Sequence, residues 1–257
     1  MKSLEFSQFP ALSYAGQEAI NTLCTNLSFS GENVKKIMVT SSHASEGKSF
    51  LTMNIMRTLA KYGKRVALVD ADLRRSYITT RFGLKFADEA NKQGLAHLLA
   101  GMVGQDDVLY RTDIRGAYFV PIGREVNNPL PLLNSQRFKT LLDNLAQVVD
   151  YVLVDAPPVG TVIDAAEIAK SCDGTLLVVS YNTVRRQELI DVKEQLQQTG
   201  CPILGTVLNM VEVDNYINRK YYYKSYYSHY DHYQRDEKDE KGSGKKRKKS
   251  SGKPDVE

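Results

Sequence analysis

Residues 42–49 read Ser-His-Ala-Ser-Glu-Gly-Lys-Ser, and they join an apolar run (36–42) to a helical pattern (49–62). A glycine, lysine and serine at a strand-to-helix turn suit one kind of chemistry. Backbone N–H groups converge on an anion, the glycine lets the main chain approach it, and the lysine adds a full positive charge. In the pattern GxxxxGK[ST], Lys48 reaches the β- and γ-phosphates of a nucleotide and the Ser49 hydroxyl ligates Mg²⁺. Ser42 stands where the pattern has its first glycine. The strand-to-helix context therefore carries the assignment more than the tripeptide does. Ser42, Ser45, Glu46, Gly47, Lys48, Ser49 and Phe50 form the expected nucleotide cradle.

Two acidic motifs supply the carboxylates such a site needs. Val-Asp-Ala-Asp puts Asp70 and Asp72 at the end of a second apolar run, with Arg74 and Arg75 after them. Val-Leu-Val-Asp-Ala-Pro-Pro puts Asp155 at the end of another, where a Walker B carboxylate holds Mg²⁺. Ligands of open parallel sheets bind at the carboxyl ends of the strands, so all three aspartates converge near the phosphates. One aspartate at a strand end is ordinarily a helix cap. Three beside a phosphate loop are not well explained that way. Asn209, closing the last apolar run, is either an adenine contact or a turn residue.

The elements that must position these groups alternate. Strand-like runs at 36–42, 65–72, 118–123, 151–158, 174–181 and 202–211 are interleaved with helical patterns at 18–30, 49–62, 137–149, 163–171 and 185–200. Strands apolar on both faces imply a mostly parallel sheet covered by helices on each side. The reading gives residues 1–14 as an N-terminal arm, 15–213 as one nucleotide-binding domain, 214–233 as a tyrosine-rich tail and 234–257 as a charged disordered tail. Residues 82–117 are less regular and are read as decoration on the sheet.

Composition narrows the partners. Net charge is +4, but residues 234–257 hold nine Lys/Arg against six Asp/Glu, leaving about +1 for the rest. The folded part is therefore not expected to bind nucleic acid. Cys24, Cys172 and Cys201 are widely spaced and read as reduced, packed thiols. The start of the chain lacks a signal-peptide core, and no apolar run approaches the ~20 residues of a membrane span, so a cytoplasmic protein is expected.

The motifs Glu-Ala-Ile-Asn-Thr-Leu-Cys-Thr-Asn (18–26), 40–49, Ala-Leu-Val-Asp-Ala-Asp-Leu-Arg-Arg (67–75), Asn-Asn-Pro-Leu-Pro-Leu-Leu (127–133), 151–165 and Leu-Gly-Thr-Val-Leu-Asn (204–209), with the tyrosine cluster, occur together. In that combination the chain, over about 14–233, resembles the bacterial tyrosine kinases of capsule and exopolysaccharide synthesis, in their stand-alone CpsD-like form. The resemblance implies a P-loop NTPase fold of the deviant Walker, MinD/ParA-like type, with ATP and Mg²⁺ as cofactors. It also implies that Asp70, Asp72 and Arg74 form the family's second carboxylate motif. One of these aspartates accepts the proton of an attacking tyrosine and the other helps hold Mg²⁺; Asp70 is favoured as the base. Lys48 and Asp155 complete the catalytic set, with Ser49, Asp72 and Asp155 toward the metal. Implied partners are further copies in a ring, a membrane-embedded chain-length regulator of the CpsC type, and a cognate tyrosine phosphatase. That regulator would bring the protein to the inner face of the membrane.

Seven of the fifteen tyrosines, Tyr221, Tyr222, Tyr223, Tyr226, Tyr227, Tyr230 and Tyr233, fall within thirteen residues. They follow no helical or alternating period and are interleaved with Lys, Ser, His and Asp, which argues against a core. The twelve residues from Asn209 to Tyr221 span up to about 40 Å when extended, enough to reach their own site or a neighbour's. These tyrosines are the expected phosphoacceptors. Two alternatives share the nucleotide site: a ParA/MinD-type ATPase, and a nucleotide-dependent scaffold without kinase activity. The first normally carries a second lysine where this chain has His43.

Overall fold

A computed structural model describes residues 2–211. Among them the strands are β1 (Lys2–Phe6), β2 (Lys36–Ser41), β3 (Val66–Asp70), β4 (Leu84–Phe86), β5 (Tyr110–Arg111), β6 (Ala117–Val120), β7 (Tyr151–Asp155), β8 (Gly174–Ser180) and β9 (Ile203–Asn209). The helices are α1 (Tyr14–Ser28), α2 (Lys48–Lys61), α3 (Tyr77–Arg81), α4 (Leu95–Leu99), α5 (Gln105–Val108), α6 (Leu130–Leu133), α7 (Gln136–Val148), α8 (Asp164–Ala169) and α9 (Arg186–Gln198). The sheet order is β4-β1-β5-β6-β3-β7-β2-β8-β9, and β6 through β9 in that order run parallel.

The alternation of strand side chains decides which core each residue enters. In β3, Val66 and Leu68 face the layer containing α1 and α2, while Ala67 and Val69 face the layer containing α7, α8 and α9. Leu153 of β7 and Val152 and Val154 divide in the same way. Each fully buried Leu, Ile, Val or Met contributes ~1.5–3 kcal/mol of transfer free energy, so these two-sided strands dominate the core. The α7 helix meets them with Phe138, Leu141, Leu142 and Leu145, a stripe at helical spacing. The three cysteines are free, and burial pushes the Cys24 thiol up to about 12.

The six main strands lie where the alternating pattern puts them. Two regions differ. No strand was expected before residue 36, yet Lys2–Phe6 forms β1, burying Leu4 and Phe6 on alternate positions. The Phe6 ring packs edge-on to Phe119, with centroids 5.6 Å apart. Within 82–117 the chain forms β4 and β5, of three and two residues, which join β1 at one side of the sheet. Segments this short carry too few residues to display a period, and neighbouring strands define them. No helix among the described residues is long and apolar enough to cross a membrane.

At the amino ends of the strands, carboxylates hold backbone. Asp173 Oδ2 accepts from the N–H groups of Lys35 and Lys36 at 3.1 and 2.8 Å, and Asp150 Oδ2 accepts from Arg65 N–H at 2.7 Å. Asp173→Ala leaves two amides at the start of β2 without their acceptor. It should lower stability by about 1–3 kcal/mol in urea unfolding while leaving nucleotide affinity of the folded chain unchanged.

Candidate active site

β2 ends at Ser41, and the chain turns through 42–47 before α2 begins. Ser45 and Gly47 take left-handed backbone, at φ 67° and 86°. Glycine is needed at 47 on two counts, since a Cβ there would also lie 2.2 Å from Asn209 Nδ2. Glu46, 3% exposed, braces the loop. Its two oxygens accept from His43 N–H at 2.7 Å and from Ser180 N–H, at the end of β8, at 2.9 Å. Asn209 donates its side-chain amide to the Glu46 carbonyl at 2.8 Å. On the other side Gly160 allows close approach, because a Cβ there would lie 2.5 Å from the Ser42 carbonyl oxygen. The helical ladder of α2 starts with Leu51 N–H donating to the Gly47 carbonyl at 2.9 Å. The N–H groups of Lys48, Ser49 and Phe50 precede it, the set that receives an anion at a helix N-terminus.

Lys48 Nζ lies 3.1 Å from Asp72 Oδ2 and 3.4 Å from Ser49 Oγ, and the Lys48 and Asp72 side chains are 8% and 9% exposed. Burial alone would pull the ammonium's pKa down. The charges of Asp155, Asp72 and Asp70 outweigh burial together and raise it, so the lysine remains protonated. Asp70 and Asp155 stand opposite one another in register at the carboxyl ends of β3 and β7. Burial pushes the Asp70 carboxyl well up and the charge of Asp155 adds to it, against a bond donated by the Ser76 hydroxyl. Burial also raises Asp155, with Lys48 and the hydroxyls of Ser49 and Thr52 offsetting part of the rise.

Asp70 Oδ1, Asp155 Oδ1 and Ser42 Oγ are buried without a hydrogen-bond partner among the described residues. Such atoms call for a ligand or water. The described residues close no ready-made cage of three or more metal-binding side chains. Mg²⁺ takes one or two carboxylates and completes its shell with water and substrate phosphates. Hard oxygen donors, a protonated lysine and a helix N-terminus fit a nucleotide with Mg²⁺.

The fold thus brings Ser42, Glu46, Gly47, Lys48, Ser49, Asp70, Asp72, Asp155 and Asn209 to one end of the sheet. Glu46 and Asn209 spend polar groups on the loop itself, and the Phe50 side chain packs against the α1–α2 core. Arg74 engages Asp164, a residue the sequence reasoning passed over. Ser76, Ser180 and Gly160 were also passed over, because nothing in their local sequence marks them out. The seven tail tyrosines lie outside the described residues.

A family model described as the CobQ/CobB/MinD/ParA nucleotide binding domain matches residues 37–225. The tyrosine-protein kinase CpsD of Streptococcus pneumoniae is 35% identical over 212 residues, covering 82% of this chain and 89% of that protein. The protein of the same name from Streptococcus agalactiae serotype III (strain NEM316) is 34% identical over 195 residues, covering 76% and 82%. Among solved structures, the kinase domain of the Escherichia coli tyrosine kinase ETK matches with a TM-score of 0.71 at 31% identity, over 76% of each chain. In this chain the phosphate loop is braced against β8 and β9 and faces buried carboxylates on β3 and β7, and by its matches the chain belongs to the CobQ/CobB/MinD/ParA nucleotide-binding family as a bacterial tyrosine kinase.

Proposed function

We propose that this kinase transfers the γ-phosphoryl group of ATP to tyrosines 221–233 of its own tail, between subunits, and thereby regulates capsule or exopolysaccharide polymerisation and export. The observation that carries the reading is the buried Lys48–Asp72 pair at 3.1 Å, which joins the phosphate loop to the β3 carboxylates. Phosphoryl transfer is mostly positioning and charge neutralisation. The N–H groups opening α2 and the Lys48 ammonium hold the phosphates and meet charge developing on their oxygens. Bound at Ser49, Asp72 and Asp155, Mg²⁺ would supply further neutralisation of that charge.

Asp70 is the better-supported base. Its Oδ1 is uncommitted and its surroundings raise its proton affinity, whereas Asp72 Oδ2 is engaged by Lys48. The phenolic proton passes to the carboxylate, the phenolate oxygen bonds to the γ-phosphorus, and the bond to the β-phosphate oxygen breaks, leaving ADP. Each phosphate adds roughly −1.5 to −2 charges to the tail, enough to disfavour a ring of like subunits. A membrane-embedded chain-length regulator would complete the site and hold the protein, cytoplasmic by itself, at the inner membrane face. A tyrosine phosphatase would reset it, and no nucleic-acid partner is expected.

Incubation of the purified chain with ATP and Mg²⁺, with and without the regulator's cytoplasmic segment, followed by phosphotyrosine mapping, tests this. Label should fall within Tyr221–Tyr233 and drop about 10²-fold or more in Lys48→Met. ATP hydrolysis without labelled protein in both arms would favour an ATPase or scaffold instead.

The carboxyl end of β3 also sets a pH dependence. A carboxyl whose folded pKa lies above its unfolded value binds a proton on folding throughout the interval between them. Stability of the nucleotide-free chain therefore falls as pH rises from the ordinary aspartate value of 3.8 through the raised one. Asp70→Asn removes this contribution and should abolish transfer. In thermal melts the nucleotide-free variant should exceed wild type at about pH 8, with the gap closing toward about pH 4. Parallel melting curves across that range would contradict the assignment.

A further inference from the structure

The transfer chemistry leaves Asp164 unused, yet few polar side chains here are so thoroughly engaged. Asp164 opens α8, its side chain is 1% exposed, and both its oxygens meet a single guanidinium. Arg74 Nε donates to Oδ2 and Nη2 donates to Oδ1 at 3.2 Å. A third donor, Nη1, reaches the Asn127 carbonyl at 2.9 Å. Arg74 thus ties together the loop after β3, the segment before α6 and the start of α8. The same loop is held by Ala71 N–H on the Asp155 carbonyl at 2.9 Å and by Val126 N–H on the Leu73 carbonyl at 2.8 Å. Asp72, the partner of Lys48, lies two residues before Arg74 in this loop. A bidentate charge-assisted fork is about twice as strong as a neutral bond and fixes orientation as well. A buried carboxylate with one cationic partner is costly to leave unpaired, so the fork resists opening.

We propose that Asp164 is a positioning residue for the site: through the Arg74 fork it holds residues 71–75 so that Asp72 stays against Lys48, at the edge where Mg²⁺ would bind. It acts through Arg74 and Asp72 and touches no substrate. The kinetic consequence rests on the kinase reading given above; the consequence for nucleotide binding does not, so the two fail separately.

The test uses the full chain as Asp164→Asn, Asp164→Glu, Arg74→Gln and the Arg74→Gln/Asp164→Asn double variant. Two quantities are measured. One is kcat and KM for ATP in phosphotyrosine formation, counted per molecule able to bind ADP. The other is the factor by which Mg²⁺ tightens ADP binding, by calorimetry. Asp164→Asn should lower kcat roughly 10–100-fold and shrink the Mg²⁺ factor, with KM and metal-free ADP affinity near wild type. The double variant should be no worse than the more impaired single, because the two residues act as a unit. Asp164→Glu, which keeps the charge, should recover part of the loss. Should Asp164→Asn fail to fold, Arg74→Gln carries both readouts, its side chain being 38% exposed. An unchanged kcat per ADP-competent molecule with an unchanged Mg²⁺ factor, or losses that simply add, would overturn the proposal. If wild type forms no phosphotyrosine even with the regulator's cytoplasmic segment present, but Asp164→Asn still shrinks the Mg²⁺ factor, the kinase reading falls and this assignment stands.

Discussion

A lysine ammonium with less than a tenth of its side chain exposed sits 3.1 Å from one carboxylate and within the field of two more. Desolvation opposes each of these charges, and no single pairing satisfies all four. The arrangement holds because it is shared: Lys48 stays charged through Asp155, Asp72 and Asp70 together, while Asp70 and Asp155 keep proton affinity that a solvated aspartate lacks. Much of the surrounding structure keeps these groups in place. Glu46 ties the phosphate loop to β8, Asn209 ties it to β9, and register between β3 and β7 sets Asp70 beside Asp155.

The two ends of the sheet use the same side chain in opposite ways. Asp150 and Asp173, at the amino ends, spend their oxygens on backbone amides and fix where strands begin. Asp70 and Asp155, at the carboxyl ends, each keep one buried oxygen without a partner. A fold under selection for stability alone would fill those positions with apolar or paired groups, so the cost fits the catalytic role proposed for them. Parallel strands direct all their carboxyl ends one way, which is why such unsatisfied groups accumulate on a single face of the molecule.

The nucleotide-binding family supplies the frame, and CpsD of Streptococcus pneumoniae and the ETK kinase domain of Escherichia coli share it with this chain over 89% and 76% of their own lengths. His43 faces Glu188 of α9 at 3.3 Å, where the ParA/MinD pattern has a lysine. The loop is therefore tied to α9 at that point.

The sequence by itself determined the alternating architecture and marked out the groups expected to meet phosphate. Both signals are local and periodic: β-strands apolar on both faces, a Gly-Lys-Ser turn between strand and helix, and aspartates closing two apolar runs. The tertiary structure decided what no local pattern encodes. It made Lys2–Phe6 a strand, because Leu4 and Phe6 find their partners on β4 and Phe119 rather than near themselves. It turned Glu46 and Asn209 into braces of the loop, since their hydrogen-bond partners lie on strands more than a hundred residues away or arrive from them. It joined Arg74 to Asp164, ninety residues apart in the chain, and left Asp70 and Asp155 each with an unpaired oxygen. Burial and pairing are properties of the packed chain, so which polar group is satisfied and which stays available for chemistry emerges only when the layers close.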